Sequence, residues 1–311
     1  MPGERVPGLT PDLFGALKVD EQEGERIAGP PVGFWKDSWI RLKKNRGALV
    51  SLAIIILLFA MAFVLGPLLS QHSPYAQDLS RRLTGSTSEF WFGTDKFGRD
   101  MWTRVWAGTR VSLYIGLLAT CLDMFVGVTF GAVSGFVGGR VDDLMVRIVE
   151  ILNGIPSLVV AILAMTVFRP GIITITIALG ITGWTYMALL VRSRMLQLKE
   201  QEFALASRSL GAGGYRLVWK HLIPNSLGPI IITLAFTIPD ATFSEAFLSF
   251  IGLGIQVPDA SLGSLIDDGA AQIRFHPYLL WYPSIVFCLI MLCFNLLGDG
   301  LRDALDPRMR K

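Results

Sequence analysis

Of the 311 residues, 52% are apolar and only 17% charged, against about 25% charged in an ordinary soluble chain, which excludes a soluble globular protein of this size. The net charge of +3 is carried by basic residues lying between long apolar runs and not gathered on a polar surface, so nucleic acid is set aside as a partner. Cys121, Cys288 and Cys293 all sit inside apolar stretches and His72, His221 and His276 are scattered singly, so neither a disulfide framework nor a metal site is visible.

The chain opens with a polar tail, residues 1–47, in which Pro and Gly flank the acidic patch from Asp20 to Glu25. It has no apolar core of the kind a removable signal peptide needs and reads as a cytoplasmic extension. Near its end, over 34–46, Phe34, Trp35, Trp39 and Leu42 share one helical face, with Lys36, Arg41, Lys43 and Lys44 around the others. That pattern suits an interfacial helix on the inner leaflet, or a basic flank that only sets topology.

Stretches long enough to cross about 30 Å of hydrocarbon follow at 48–69, 111–137, 148–168, 172–191, 227–250 and 279–298. The expected fold is therefore an all-α integral membrane protein with six transmembrane helices. The third and fourth spans are separated only by Arg169, Pro170 and Gly171, which reads as a tight helical hairpin. With the N-terminus inside, 20 of the 28 Lys and Arg fall in inside segments, so both termini, including a C-terminal tail at 299–311, are expected in the cytoplasm.

The first outer loop, 70–110, runs against that bias, carrying Arg81, Arg82, Lys96, Arg99, Arg104 and Arg110. Within it Asp95 and Asp100 are placed to cap a short helix with Trp102, Val105 and Trp106 on one face. In the second span Gly127, Gly131 and Gly135 repeat every fourth residue, after Ser112 and Gly116 at the same spacing. Small residues at this period let a neighbouring helix backbone approach closely.

The loop at 192–226 is the most informative segment. Phe203, Ala206, Ser207 and Leu210 fall on one face of a short helix, Glu200 and Glu202 sit where the helix dipole favours anions, and Gly211 supplies a left-handed stop. A second short helix follows, with Tyr215, Val218, Trp219 and Leu222 on one face, ended by Pro224; Asn225 or Ser226 then caps the fifth span. A helix with a small-residue face and a hard stop suits docking into a partner's groove, and equally suits an amphipathic loop on the membrane surface.

Three carboxylates lie inside spans, where each costs about 2.5–3.5 kcal/mol unless it meets a partner or water. Asp240 and Glu245 either line a translocation cavity and meet cationic or polar cargo, or hold helices together; Asp123 reads as structural.

The order Glu202, Ala206, Ser207, Gly211, Ile223, Pro224 resembles the EAA motif of ABC importer permeases, with Ser207 in place of the second alanine. The segments FGTDKFGRDMWTRVWAGTRVSL at 92–113, EAFLSFIGLG at 245–254 and GDGLRDALDPRMRK at 298–311 are similar to the oligopeptide and dipeptide permease C subunits, as is WIRLKKNRGALVSL before the first span. The resemblance covers residues 34–311. It implies a type I ABC importer fold with a transmembrane core over 111–298, and one half of a heterodimeric pathway completed by a homologous second permease. It also implies two cytoplasmic ATPases that bind the coupling loops of the pair, in this chain through Glu202, Phe203, Ala206, Ser207, Leu210, Gly211 and Pro224, and an extracytoplasmic peptide-binding protein above. The first outer loop would lie near the outer gate.

The implied cargo is an oligopeptide, with dipeptides, nickel chelates or glutathione as alternatives among relatives. The sequence contains no GxxxxGK(S/T) phosphate loop, so no cofactor is expected on this chain, and ATP and Mg belong to the partner subunits. A secondary transporter would show internal repeats and broken helices around midplane ion sites, and no repeat between halves is evident. An intramembrane enzyme would need a paired-histidine or nucleophile arrangement, and the spans hold carboxylates without one.

Overall fold

The computed structural model describes residues 33–168 and 171–305. The predicted N-terminal tail up to residue 32, the Arg169–Pro170 part of the hairpin turn and the end of the C-terminal tail lie outside the described residues. The chain falls into two compact units, Met1–Asp37, described only over 33–37, and Ser38–Lys311.

Every regular element among the described residues is helical. Besides a 3-10 turn at Leu79–Arg81, they are, in chain order, α1 (Phe34–Lys44), α2 (Arg46–Leu69), α3 (Met101–Val137), α4 (Gly139–Asn153), α5 (Ser157–Val167), α6 (Ile172–Leu198), α7 (Glu202–Ser209), α8 (Gly214–Phe250), α9 (Leu262–Ala270) and α10 (Tyr278–Leu305). Five of them, α2, α3, α6, α8 and α10, are long and apolar enough to cross a membrane.

The expected third span, 148–168, is not a single helix. Amphipathic α4 and apolar α5 meet at an angle of 77°, because Gly154, Ile155 and Pro156 interrupt the helix: the proline disfavours helical backbone at the residue before it. The pair amounts to a sixth crossing only if the bent helices count as one span.

The remaining spans are longer than hydropathy alone suggests. The expected start at 111 moves to Met101, since Asp100 caps α3 by accepting from the Trp102 amide at 3.0 Å. The short helix expected around Trp102, Val105 and Trp106 is thus the first part of α3, cut off in the hydropathy reading by Arg104 and Arg110. The fourth span continues past 191 to Leu198 and the sixth past 298 to Leu305, both through polar turns that remain helical. Asn45 caps α2, its side chain accepting from the Ala48 amide at 3.1 Å. In α1, Leu42 packs inward with Ala48, Leu301 and Ala304 while Trp39 stays half exposed, so the apolar face read from the sequence is divided.

Helix α3 is the axis of the bundle. Its small-residue stripe serves two neighbours: Gly116 faces Ile238 and Thr242 of antiparallel α8, whereas Gly127, Gly131 and Gly135 face Trp184, Ala188 and Arg192 of parallel α6. At Gly131 an added Cβ would lie 3.0 Å from the Ala188 carbonyl carbon and closer still to its oxygen, so any side chain forces the helices apart. Gly131→Leu is expected to destabilise the bundle by about 1–3 kcal/mol or more, as overpacking does in tight cores. Thermal unfolding in nanodiscs checks this, and an unchanged midpoint would show that the α3–α6 contact yields freely.

The segment between α2 and α3 is an ordered cap held by Asp95. Its carboxylate accepts from the amides of Phe97 at 2.8 Å and Arg99 at 2.9 Å and from Arg99 Nε at 2.7 Å, with Arg104 Nε at 3.4 Å. Asp95 thus neutralises two arginines that are buried almost completely and caps no helix, contrary to the sequence reading. Two further ties reach across the bundle: Tyr278 donates to the carbonyl of Thr94 at 2.9 Å, and Lys96 pairs with Asp268 at 2.6 Å.

Candidate functional site

At the opposite end of the bundle α6 hands over to α8 through α7. Lys199 follows α6 and donates to the Gly135 carbonyl at 3.0 Å, tying the turn to the end of α3. Helix α7 starts with Glu202 and carries Arg208 in its last turn, an arrangement the helix dipole favours at both ends. Gly211 closes it at φ +84°, with the Gly211 amide donating to the Arg208 carbonyl at 2.9 Å and the Ala212 amide to the Ser207 carbonyl at 3.1 Å. This paired closure is a Schellman motif, and its left-handed residue is the reason for a glycine.

One side of α7 is anchored and the other is free. Ala204 is fully buried in a cluster with Val128, Ala132, Met195, Leu217 and Leu222, and Arg208 lies 5.4 Å from the Phe136 ring centre. Phe203, Ala206 and Leu210 point outward, with Leu210 89% exposed, and Ser207 is half-buried at their edge. The small-residue face read from the sequence is therefore available on the surface. Beyond it, Tyr215 and Trp219 stay exposed, while Val218 and Leu222 of the same predicted face turn into the cluster.

The second short helix of the loop is not separate. Helix α8 runs unbroken from Gly214 to Phe250, with a π turn at Val218–Leu222 just before Pro224. The widened turn shifts the backbone register ahead of the proline, so the ring, which would clash in a continuous α-helix, is accommodated and the helix continues. Asn225 and Ser226 accordingly do not cap a new helix; they donate back to the carbonyls of His221 at 2.7 Å and Leu222 at 2.9 Å. The exit from the loop is thus one continuous rod into the fifth span.

A charged clamp braces the same end. Arg192 of α6 donates through Nε and Nη2 to the two carboxylate oxygens of Asp142 in α4, each at 2.6 Å, and Ser134 of α3 donates to the same carboxylate. The forked geometry is the strong form of this pairing, and three helices are joined by it. Asp142→Ala and Arg192→Ala are each expected to lower stability by roughly 1–3 kcal/mol, with the double variant costing less than the sum. A double-mutant cycle measured by thermal unfolding checks this, and full additivity would show that the two groups do not interact.

A cavity of about 220 Å³, open to the surface beside the exposed Tyr186 and Asp240, lies between α3, α5, α6 and α8. Asp240 lines it together with Asp123, Ser157, Thr182, Tyr186 and Ser244. Glu245 does not. It is fully enclosed, accepting from Ser112 at 2.6 Å and from Ser249 at 2.7 Å, while Ser112 accepts from the Leu262 amide at 3.1 Å. Glu245 therefore joins α3, α8 and the start of α9. Five residues of helix separate it from Asp240, which turns the two side chains about 140° apart. Asp123, read as structural, lies at the cavity instead, and nothing in its own segment announced that, because its surroundings come from α5, α6 and α8. The clamp of Asp142 with Arg192 was also missed; its partners stand fifty positions apart, and no local pattern links them.

A membrane bundle with an open cavity lined in part by carboxylates and hydroxyls, and with an exposed helical end continuous with a span, is the architecture of a transport subunit. Residues 127–311 match the family described as binding-protein-dependent transport system inner membrane component, and residues 33–85 match the N-terminal TM domain of oligopeptide transport permease C. The dipeptide transport system permease protein DppC of Bacillus subtilis (strain 168) is 45% identical, covering 99% of this chain and 98% of its own. The oligopeptide transport system permease protein OppC of the same strain is 43% identical over 98% of this chain and all of its own length. OppC of Escherichia coli (strain K12) is 38% identical over 93% of this chain and 96% of its own. A solved structure described as inward facing conformations of the MetNI methionine ABC transporter shares the fold, with a TM-score of 0.54 at 16% identity, over 66% of this chain and 97% of that one. The chain belongs to the binding-protein-dependent transport system inner membrane component family.

Proposed function

We propose that this chain is one half of the translocation pathway of an ATP-driven peptide importer of the bacterial cytoplasmic membrane, with a homologous second permease as the other half. Both termini and α7 face the cytoplasm. Two ABC ATPases, which carry ATP and Mg, dock on the coupling loops of the two permeases, here on α7, and an extracytoplasmic peptide-binding protein delivers cargo at the end capped by the Asp95 loop. The chain itself does no chemistry. Relatives named for dipeptides and for oligopeptides match almost equally well, so the reading commits to peptide cargo without fixing its length.

The observation that carries the coupling role is the build of α7. Glu202, Phe203, Ala206, Leu210 and Gly211 are exposed, with Ser207 half-buried beside them, and together they form a unit stopped hard at Gly211 and anchored underneath by Ala204. Movement imposed on it passes through Gly214 directly into α8, because Pro224 lies inside that helix. Asp240, facing the cavity, is the pathway residue in this reading. Glu245 holds helices and is left out of it.

The test is uptake of labelled trialanine into liposomes holding the full complex with its binding protein outside and ATP inside. Uptake that requires ATP, both ATPases and the binding protein supports the reading. Uptake driven by an ion gradient without the ATPases would sink it and favour secondary transport.

A further inference from the structure

We propose that the cavity between α3, α5, α6 and α8 is a subsite for a primary ammonium group of the cargo, held by Asp123 and Asp240. This deepens the peptide-importer reading and rests on it. Asp123 is 5% exposed, yet its Oδ1 makes no hydrogen bond to the protein. Such an acceptor inside a membrane bundle is costly unless something fills its lone pairs.

Space for that carboxylate is kept by Gly183 on α6, where an added Cβ would lie 2.7 Å from Asp123 Oδ1 and closer still to Oδ2. The second carboxylate, Asp240, arrives from α8 on the same cavity. Neither is engaged by a lysine, arginine or histidine among the described residues, and no basic side chain lines the cavity. Two carboxyl groups therefore face about 220 Å³ of space with no basic partner among the described residues.

An ammonium carries three donors spread about its axis. Acceptors converging from different helices suit that spread: Asp123 and Asp240, with the hydroxyls of Ser157, Thr182, Tyr186 and Ser244 around them. A guanidinium prefers both oxygens of one carboxylate in a flat fork, whereas the acceptors here are spread over four helices. A resident divalent cation is disfavoured as well, since no group of three or more acidic, histidine or cysteine side chains with metal-binding geometry occurs among the described residues. The ammonium can be a peptide's own N-terminus or a lysine side chain, and both are tested below.

The experiment is saturation-transfer NMR on the permease pair with its ATPases in nanodiscs, with the binding protein omitted so that its preference plays no part. The probes are trialanine, N-acetyl-trialanine and N-acetyl-Ala-Lys-Ala. Trialanine is expected to bind roughly tenfold more tightly than its acetylated form, the effect of one hydrogen bond to a charged group. Retained affinity for N-acetyl-Ala-Lys-Ala means that the site accepts a side-chain ammonium, and loss of it means that the site reads the N-terminus. The preference should vanish in Asp123→Asn/Asp240→Asn and survive in Asp240→Glu. Equal binding of all three probes to the unaltered complex, no binding at all, or a preference that persists in the double variant would each overturn the subsite. ATP-dependent uptake by the unaltered complex is scored separately. If uptake occurs without the preference, the subsite alone fails; if ATP-dependent uptake itself is absent, the importer reading fails.

Discussion

Gly211→Trp is expected to abolish peptide-stimulated ATP hydrolysis and uptake by the reconstituted complex while leaving this chain folded. The position sits at φ +84°, where a residue other than glycine costs about 1–2 kcal/mol, but an added Cβ there meets nothing within 4 Å. The internal damage is therefore small. The indole instead projects from the surface beside Leu210, where a close-fitting partner would have to lie, and at the centre of an interface a misfit of 2 kcal/mol or more is common, so stimulation should fall more than about tenfold. Gly211→Asn separates backbone from bulk, because asparagine tolerates the left-handed region and stays small. Normal coupling in the asparagine variant and lost coupling in the tryptophan variant would place the ATPase contact on this corner. Unimpaired stimulation in Gly211→Trp would show that the ATPases dock elsewhere.

The largest loss of stability is expected from Asp95→Ala. Its carboxylate is the acidic partner of Arg99 and Arg104, whose side chains are 1% and 2% exposed, and it also holds the amides of Phe97 and Arg99. Removing one partner of a buried charged group leaves uncompensated charge, at a cost of about 3–5 kcal/mol. Lys96→Ala, which breaks the more exposed pair with Asp268, should cost no more than about 1 kcal/mol. Thermal unfolding of both variants in nanodiscs, with protease cutting between residues 70 and 100, makes the comparison. Equal effects would mean that the Asp95 cluster is solvated and does not hold the cap together.

Both residues were visible in the sequence, and only one was understood there. Gly211 follows an eight-residue helix whose small face, acidic start and glycine stop are all encoded within a dozen positions, so a local reading sufficed for its closure and its exposed face. Asp95 has the sequence position of a helix cap, because it precedes an apolar-faced segment. Its actual role depends on Arg104 meeting it across a folded loop, which spacing does not reveal. In the same way Pro224 looks like a terminator to any local rule, and only the π turn at Val218–Leu222 lets α8 pass through it.

By itself the sequence determined the membrane class, the main apolar helices, the close-packing stripe on α3 and the α7 motif, since each is a sum or a period over neighbouring residues. The tertiary structure decided that the segment expected as the third span belongs to two helices bent by 77°, that Glu245 is locked between α3, α8 and α9, and that Asp123 shares a cavity with Asp240. The physical reason is the same in each case: an ionisable group inside a bundle takes its role from whatever offers it hydrogen bonds, charge or space, and here those neighbours come from helices that only folding brings together.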